Sequence, residues 1–143
     1  MTSNYHNIPN ITVAKALEAV QNALNIAESI GVKASVSVVD RSMNLIAFAK
    51  ADGATPHSTE TSRRKANTAT STGKATGWMS PEISISLPLA TDNKLTNILG
   101  GVPLIFDDKL VGGLGIAGGT VEQDKKIALE VLKKIGADAP NIS

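Results

Sequence analysis

A chain of 143 residues with a formal net charge of +1 and no cysteine has the size of one compact domain and no global field to draw it toward nucleic acid or an anionic membrane. The missing cysteines exclude disulfides, thiolate nucleophiles, Cys-bound structural zinc and Cys-bound iron–sulfur clusters. No apolar segment approaches the roughly 20 residues that span a bilayer, and the start MTSNYHNIPN lacks the basic-then-apolar order of a signal peptide, so the expected location is the cytoplasm.

Residues 1–11 are polar, include Pro9 and read as a flexible arm ahead of a single domain over 12–143. From Thr12 the periodicity is helical. Val13, Ala16, Leu17, Val20, Leu24, Ala27 and Ile30 recur at helix spacing, with Thr12 as N-cap and Gly31 closing the helix. Residues 34–39 (ASVSVV) and 45–50 (LIAFAK) then form two strands joined by a turn with Asp40 and Asn44 at its ends. After the turn at Asp52, Gly53 and Pro56 comes a helix from Ser58, its expected cap, to about Thr72, whose uncharged side chains are all small. Such a face admits another backbone or a ligand at close range. Residues 76–99 read as loop with short helical pieces near 81–87 and 92–99, because two prolines interrupt any longer pattern.

The last third is the most legible. Val102 to Phe106, the turn Asp107–Asp108–Lys109 and the glycine-rich run from Leu110 to Ala117 spell a β-hairpin. A helix follows. Thr120 with Gln123 gives a capping box, Glu122 and Asp124 lie at the positive dipole end, and Lys133, Lys134 and Gly136 mark the exit. Ile127, Ala128, Val131, Leu132 and Ile135 form its apolar stripe. Strands that come in hairpins make antiparallel sheets, so the expected class is α+β with helices on the sheet faces. Only four residues (Tyr5, Phe48, Trp78, Phe106) are aromatic, and a core so poor in rings gains from burying a face against a second copy of the chain, which predicts a homo-oligomer.

The candidate chemistry is sparse. Gly113, Gly115 and Gly118 spell G-x-G-x-x-G before a helix, but no parallel βαβ unit follows, so the glycines read instead as a strand thinned for close approach by a helix, ligand or subunit. His6 and His57 lack metal-ligand spacing, and no metal site is expected. Arg63, Arg64 and Lys65 fan around the second helix, and one of them turned inward among small neighbours would need an anionic partner. The expected pocket lies between the glycine strand and the Ser58 helix. At its edge Thr120 opens a helix whose N–H groups favour an anion, with Lys65 or a neighbouring arginine adding a charge.

The blocks VVDRSMNLIAFAKADGA, RRKANTA and GGVPLIFDDKLVGGLGIAGGTVEQD resemble the GlcG/HbpS family, the haem-degrading or DUF336 domain, similar to the C-terminal domain of PduO-type proteins. The resemblance runs from about Thr12 to the C-terminus. It implies a profilin-like fold with a five-stranded antiparallel sheet flanked by helices, assembly as a homo-oligomer of four to eight copies, and haem or a related tetrapyrrole as a possible cofactor. Matching positions include Asp40, Asn44, Lys65, Thr68, Gly100, Gly101, Pro103, Gly112, Gly113, Gly115 and Asp124. Met43 stands where relatives usually carry a turn glycine, Ala117 where they carry serine, and no histidine falls between Thr12 and Gly31, where haem-binding relatives use one. The expected function is binding of a small anionic ligand, with His6, His57, Arg64, Lys65, Gly113, Gly115 and Thr120 as candidate binding residues. Alternatives are a metabolic enzyme acting on a small hydroxy or oxo acid, in which His57, Arg64 and Lys65 would serve as acid/base and carboxylate-binding groups, and a non-catalytic oligomeric scaffold.

Overall fold

A computed structural model describes residues 2–141. In chain order it has α1 (Val13–Ser29), β1 (Ser35–Asp40), β2 (Leu45–Lys50), α2 (Ser58–Thr72), α3 (Pro81–Ala90), β3 (Gly101–Phe106), β4 (Lys109–Ala117) and α4 (Val121–Ile135). The strands form one sheet in the order β2-β1-β4-β3, with every neighbouring pair antiparallel. The α+β class and the two hairpins therefore stand, but the described residues hold four strands where the resemblance implied five. The segment before β3 contributes no strand. It is taken up by α3, started by Ser80 and Pro81, and by a turn in which Asp92 and Asn93 both adopt positive φ. No helical piece forms over 92–99.

Period-2 alternation sorts the sheet's side chains into two layers. Val36 and Val38 of β1 and Leu114 and Ile116 of β4 point to one face, where α1 and α4 pack and the apolar core lies. Ser35 and Ser37 point to the other, where their hydroxyls meet those of Ser58 and Ser62 on α2 at 2.7 Å. All five residues of the α4 stripe are buried. The α1 stripe is narrower than its periodicity suggests, because Ala16, Ala19, Val20, Ala23 and Ala27 are buried while Val13 and Leu17 stay exposed.

The ends of the elements follow local chemistry. Thr120 accepts from the N–H of Gln123 at 3.1 Å while the Gln123 side chain accepts from the N–H of Thr120 at 2.9 Å, and Gly136 closes α4 in the left-handed conformation. Asp107 and Asp108 both take positive φ in the β3–β4 turn, the form that matches hairpin twist. In the first hairpin Met43 keeps a glycine-like φ of 62° despite its side chain, a costly conformation for a non-glycine residue, and a bulge interrupts the β1–β2 register at Val38/Val39. Asp40 stabilises this turn by accepting from the N–H groups of Ser42 and Asn44 and from the Asn44 side chain. Burial pushes its carboxyl up, but those hydrogen bonds outweigh it and leave the pKa below the ordinary value. At the end of the arm Ile11 is buried and its N–H donates to the carbonyl of Val111.

Candidate functional site

The site is built around how closely α2 lies on the sheet. A Cβ at Gly115 would run into the carbonyl of Ser62, and one at Gly113 into that of Ala66. Helix backbone thus rests directly on strand backbone, which only glycine on one side and small residues on the other permit. This corrects the expected pocket between Gly113, Gly115 and α2: the helix itself fills that space. Ser58 is also not the cap of α2. His57 holds that position without a side-chain cap bond, and the Ser58 hydroxyl instead donates to the carbonyl of Thr55.

Close approach brings Lys65 into the interior. Its Nζ donates to the carbonyl of Ile116 at 2.7 Å and to Asp124 Oδ2 at 2.9 Å, and the two side chains are only 2% and 3% exposed. Asp124 Oδ1 accepts from the N–H of Gly119 at 2.9 Å. One ion pair thereby joins α2, the end of β4 and the first turn of α4. Burial holds the Lys65 pKa below the usual lysine value, with the Asp124 charge and hydrogen bond pulling the other way. Gly100 and Gly101 make room for it, since a Cβ at Gly100 would sit 2.9 Å from Lys65 Nζ and one at Gly101 would meet the Lys65 carbonyl.

Beside this pair a cavity of about 300 Å³ opens where α2 and α4 begin. Thr55, His57, Ser58 and Thr61 supply one wall, residues 117–119 at the end of β4 another, and Ile98 and Val121 the apolar rim, with Lys65 and Asp124 at the floor. Ala117 leaves that wall without a hydroxyl. His57 and Lys65 are therefore brought together, and Thr120 opens the adjoining helix. The capping box uses the N–H groups of Thr120 and Gln123, so the helix start offers an anion fewer free backbone donors than expected, while the Thr120 hydroxyl accepts within the box. His6 stands exposed in the arm. Arg64 borders a different cavity, and the expectation that it shares a pocket with Lys65 and His57 is not met, because consecutive helix residues diverge by about 100°.

In sequence, Asp124 matches the family pattern and reads only as a dipole partner. The signal for more was present. Asp124 falls three and four residues before Ile127 and Ala128, within the apolar stripe of α4, and a carboxylate there requires a buried cation. Thr55, Ile98 and Val121 carried no such signal, because they meet only in the tertiary structure.

Among the described residues no helix is long and apolar enough to cross a membrane. The model of the family described as haem degrading protein HbpS-like matches residues 11–133. An uncharacterized protein from the dhaT-dhaS intergenic region of Citrobacter freundii is 34% identical over 126 residues, which cover 85% of this chain and 89% of that protein. Among solved structures, Klebsiella pneumoniae protein ORFY superposes with a TM-score of 0.87 at 29% identity, covering 96% of this chain and 99% of the other. PduOC in its complex with heme gives 0.85 at 28% identity, covering 92% and 99%. A double mutant of Streptomyces reticuli HbpS gives 0.82 at 27% identity, covering 94% and 92%.

Proposed function

The chain belongs to the HbpS-like family, and on that premise we propose that it binds haem or a related anionic tetrapyrrole at the cavity where α2 and α4 begin. PduOC, solved with heme, shares this architecture. The observation that carries the reading in this chain is His57, an imidazole at the wall of a cavity with an apolar rim, whose side chain makes no cap hydrogen bond. A bound haem would supply an iron with a coordination position that a neutral imidazole nitrogen fills.

The residues fit such a group in part. About 300 Å³ is at the small end for ligand cavities, so one edge of a macrocycle would enter while the rest lay over Ile98 and Val121, which are 46% and 40% exposed. Lys65 would not be a free counter-ion for a propionate, being committed to Asp124. Its part is to hold the ends of α2, β4 and α4 together and so keep the cavity in shape. A second copy of the chain would cover a separate face. α3 buries none of its residues, and Ile85 and Leu89 are 66% and 70% exposed, an apolar face of the kind covered in homo-oligomers. The alternative enzyme reading loses support because Arg64 lies elsewhere.

The test is a visible titration with haemin. A Soret change that saturates at one haemin per protomer, survives His6→Ala and is lost in His57→Ala is the expected result. Equal spectra for wild type and His57→Ala would refute His57 as the ligand.

A further inference from the structure

We propose that a second cavity, of about 350 Å³ and bordered by Arg63, Arg64, Asn67 and Lys94, binds a small oxyanion that carries its own hydrogen-bond donor, such as hydrogen phosphate or a 2-hydroxycarboxylate. It shares no lining residue with the cavity at His57, so the inference stands apart from the haem reading.

Asn67 is the reason. The residue is 5% exposed, and its Nδ2 donates to the carbonyl of Lys94 at 3.1 Å. That bond sets the orientation of the amide, since the flipped form would press oxygen against oxygen. Asn67 Oδ1 is then buried without a hydrogen-bond partner, the one such side-chain atom among the described residues, on a residue that borders the cavity. A buried acceptor left unmet is costly, and the group that relieves it must be a donor.

The charges around it select the kind of donor. Arg63, Arg64 and Lys94 border the cavity, and none of them is in an ion pair among the described residues. Glu60 and Asp92 border it as well, which leaves a net excess of one positive charge. An anion is favoured, and one that brings a proton of its own suits both the cations and the unpaired oxygen. Hydrogen phosphate would donate its O–H to Asn67 Oδ1 while its other oxygens accept from the guanidinium groups. Sulfate has the same shape but would set an acceptor against an acceptor. A 2-hydroxycarboxylate offers the same chemistry with the donor on the neighbouring carbon. The walls opposite are two turns, one at Met43 and one at Asp92 and Asn93, all three at positive φ.

The test compares matched pairs on the full chain by NMR at constant ionic strength: potassium phosphate against sulfate, and lactate against propionate. Each pair differs in the donor. We expect the donor-bearing member of at least one pair to bind about tenfold more tightly, the typical net worth of one hydrogen bond, with shifts at the Asn67 side-chain amide and Arg64 Nε. The pair that discriminates identifies the ligand class. Asn67→Leu should equalise the two members, and Arg64→Gln should weaken both. Equal affinities within both pairs, binding that never saturates, or shifts confined to other residues would overturn the proposal. Should Asn67→Leu disturb the fold through its lost bond to Lys94, the wild-type comparison and Arg64→Gln still decide.

Discussion

Replacing Lys65 by methionine keeps the length of the side chain and removes its charge. Asp124 would then remain a carboxylate 3% exposed, with the N–H of Gly119 as its surviving hydrogen-bond donor and the carbonyl of Ile116 deprived of Nζ. Breaking one side of a buried pair costs about 3–5 kcal/mol, because the remaining charge is desolvated without compensation. For a chain of this length that corresponds to a fall in Tm of roughly 10–20 °C. Asp124→Leu should be similarly harmful, since it strands the ammonium with only the Ile116 carbonyl. The double variant removes both charges, and buried pairs replaced by apolar residues are often neutral or stabilising by about 1–4 kcal/mol. It should therefore be markedly more stable than either single variant. Urea unfolding of all four proteins gives the cycle directly. If the two single losses simply add in the double variant, the pair is not coupled and its place as the joint between α2, β4 and α4 is wrong.

The depressed Lys65 pKa sets a pH dependence. Below the ordinary lysine value the unfolded chain binds the proton more tightly than the folded one, so the lysine's contribution to stability rises with pH through that window. The deficit of Lys65→Met relative to wild type should thus widen between neutral pH and about 10.4; a deficit that narrows would contradict the burial. Gly115→Ala should destabilise by about 1–3 kcal/mol or more, since overpacking must push α2 off the sheet, and Gly113→Val should likewise impair the fold rather than only a ligand; unchanged urea midpoints would argue against the close contact. Thr120→Ala removes one half of the capping box and should cost about 1 kcal/mol, measured by thermal unfolding. Met43→Gly should be neutral or stabilising by up to about 1 kcal/mol, because it relieves a side chain at positive φ; a clear loss of stability would show that the methionine makes contacts worth more than that strain.

Local chemistry determined much of the fold directly. The α4 boundaries, the Asp107–Asp108 turn, both hairpins and the membership signalled by the glycine-rich block are short-range statements, each written in residues that are close in the chain, and so they were legible. The same holds for the α4 stripe, whose spacing alone forces one face inward. What lay beyond reach depended on which surfaces meet. Glycine at 113 and 115 announces close approach but cannot say by what, and only the packed sheet shows that the α2 backbone takes the place reserved for a ligand. Lys65 and Asp124 are 59 residues apart, so that nothing local links them, although each is an anomaly in its own helix. The cavity at His57 and the unpaired Asn67 are likewise products of elements brought together from distant parts of the chain. Periodicity tells a residue which face it belongs to, while the identity of the group across that face is settled only when the layers pack.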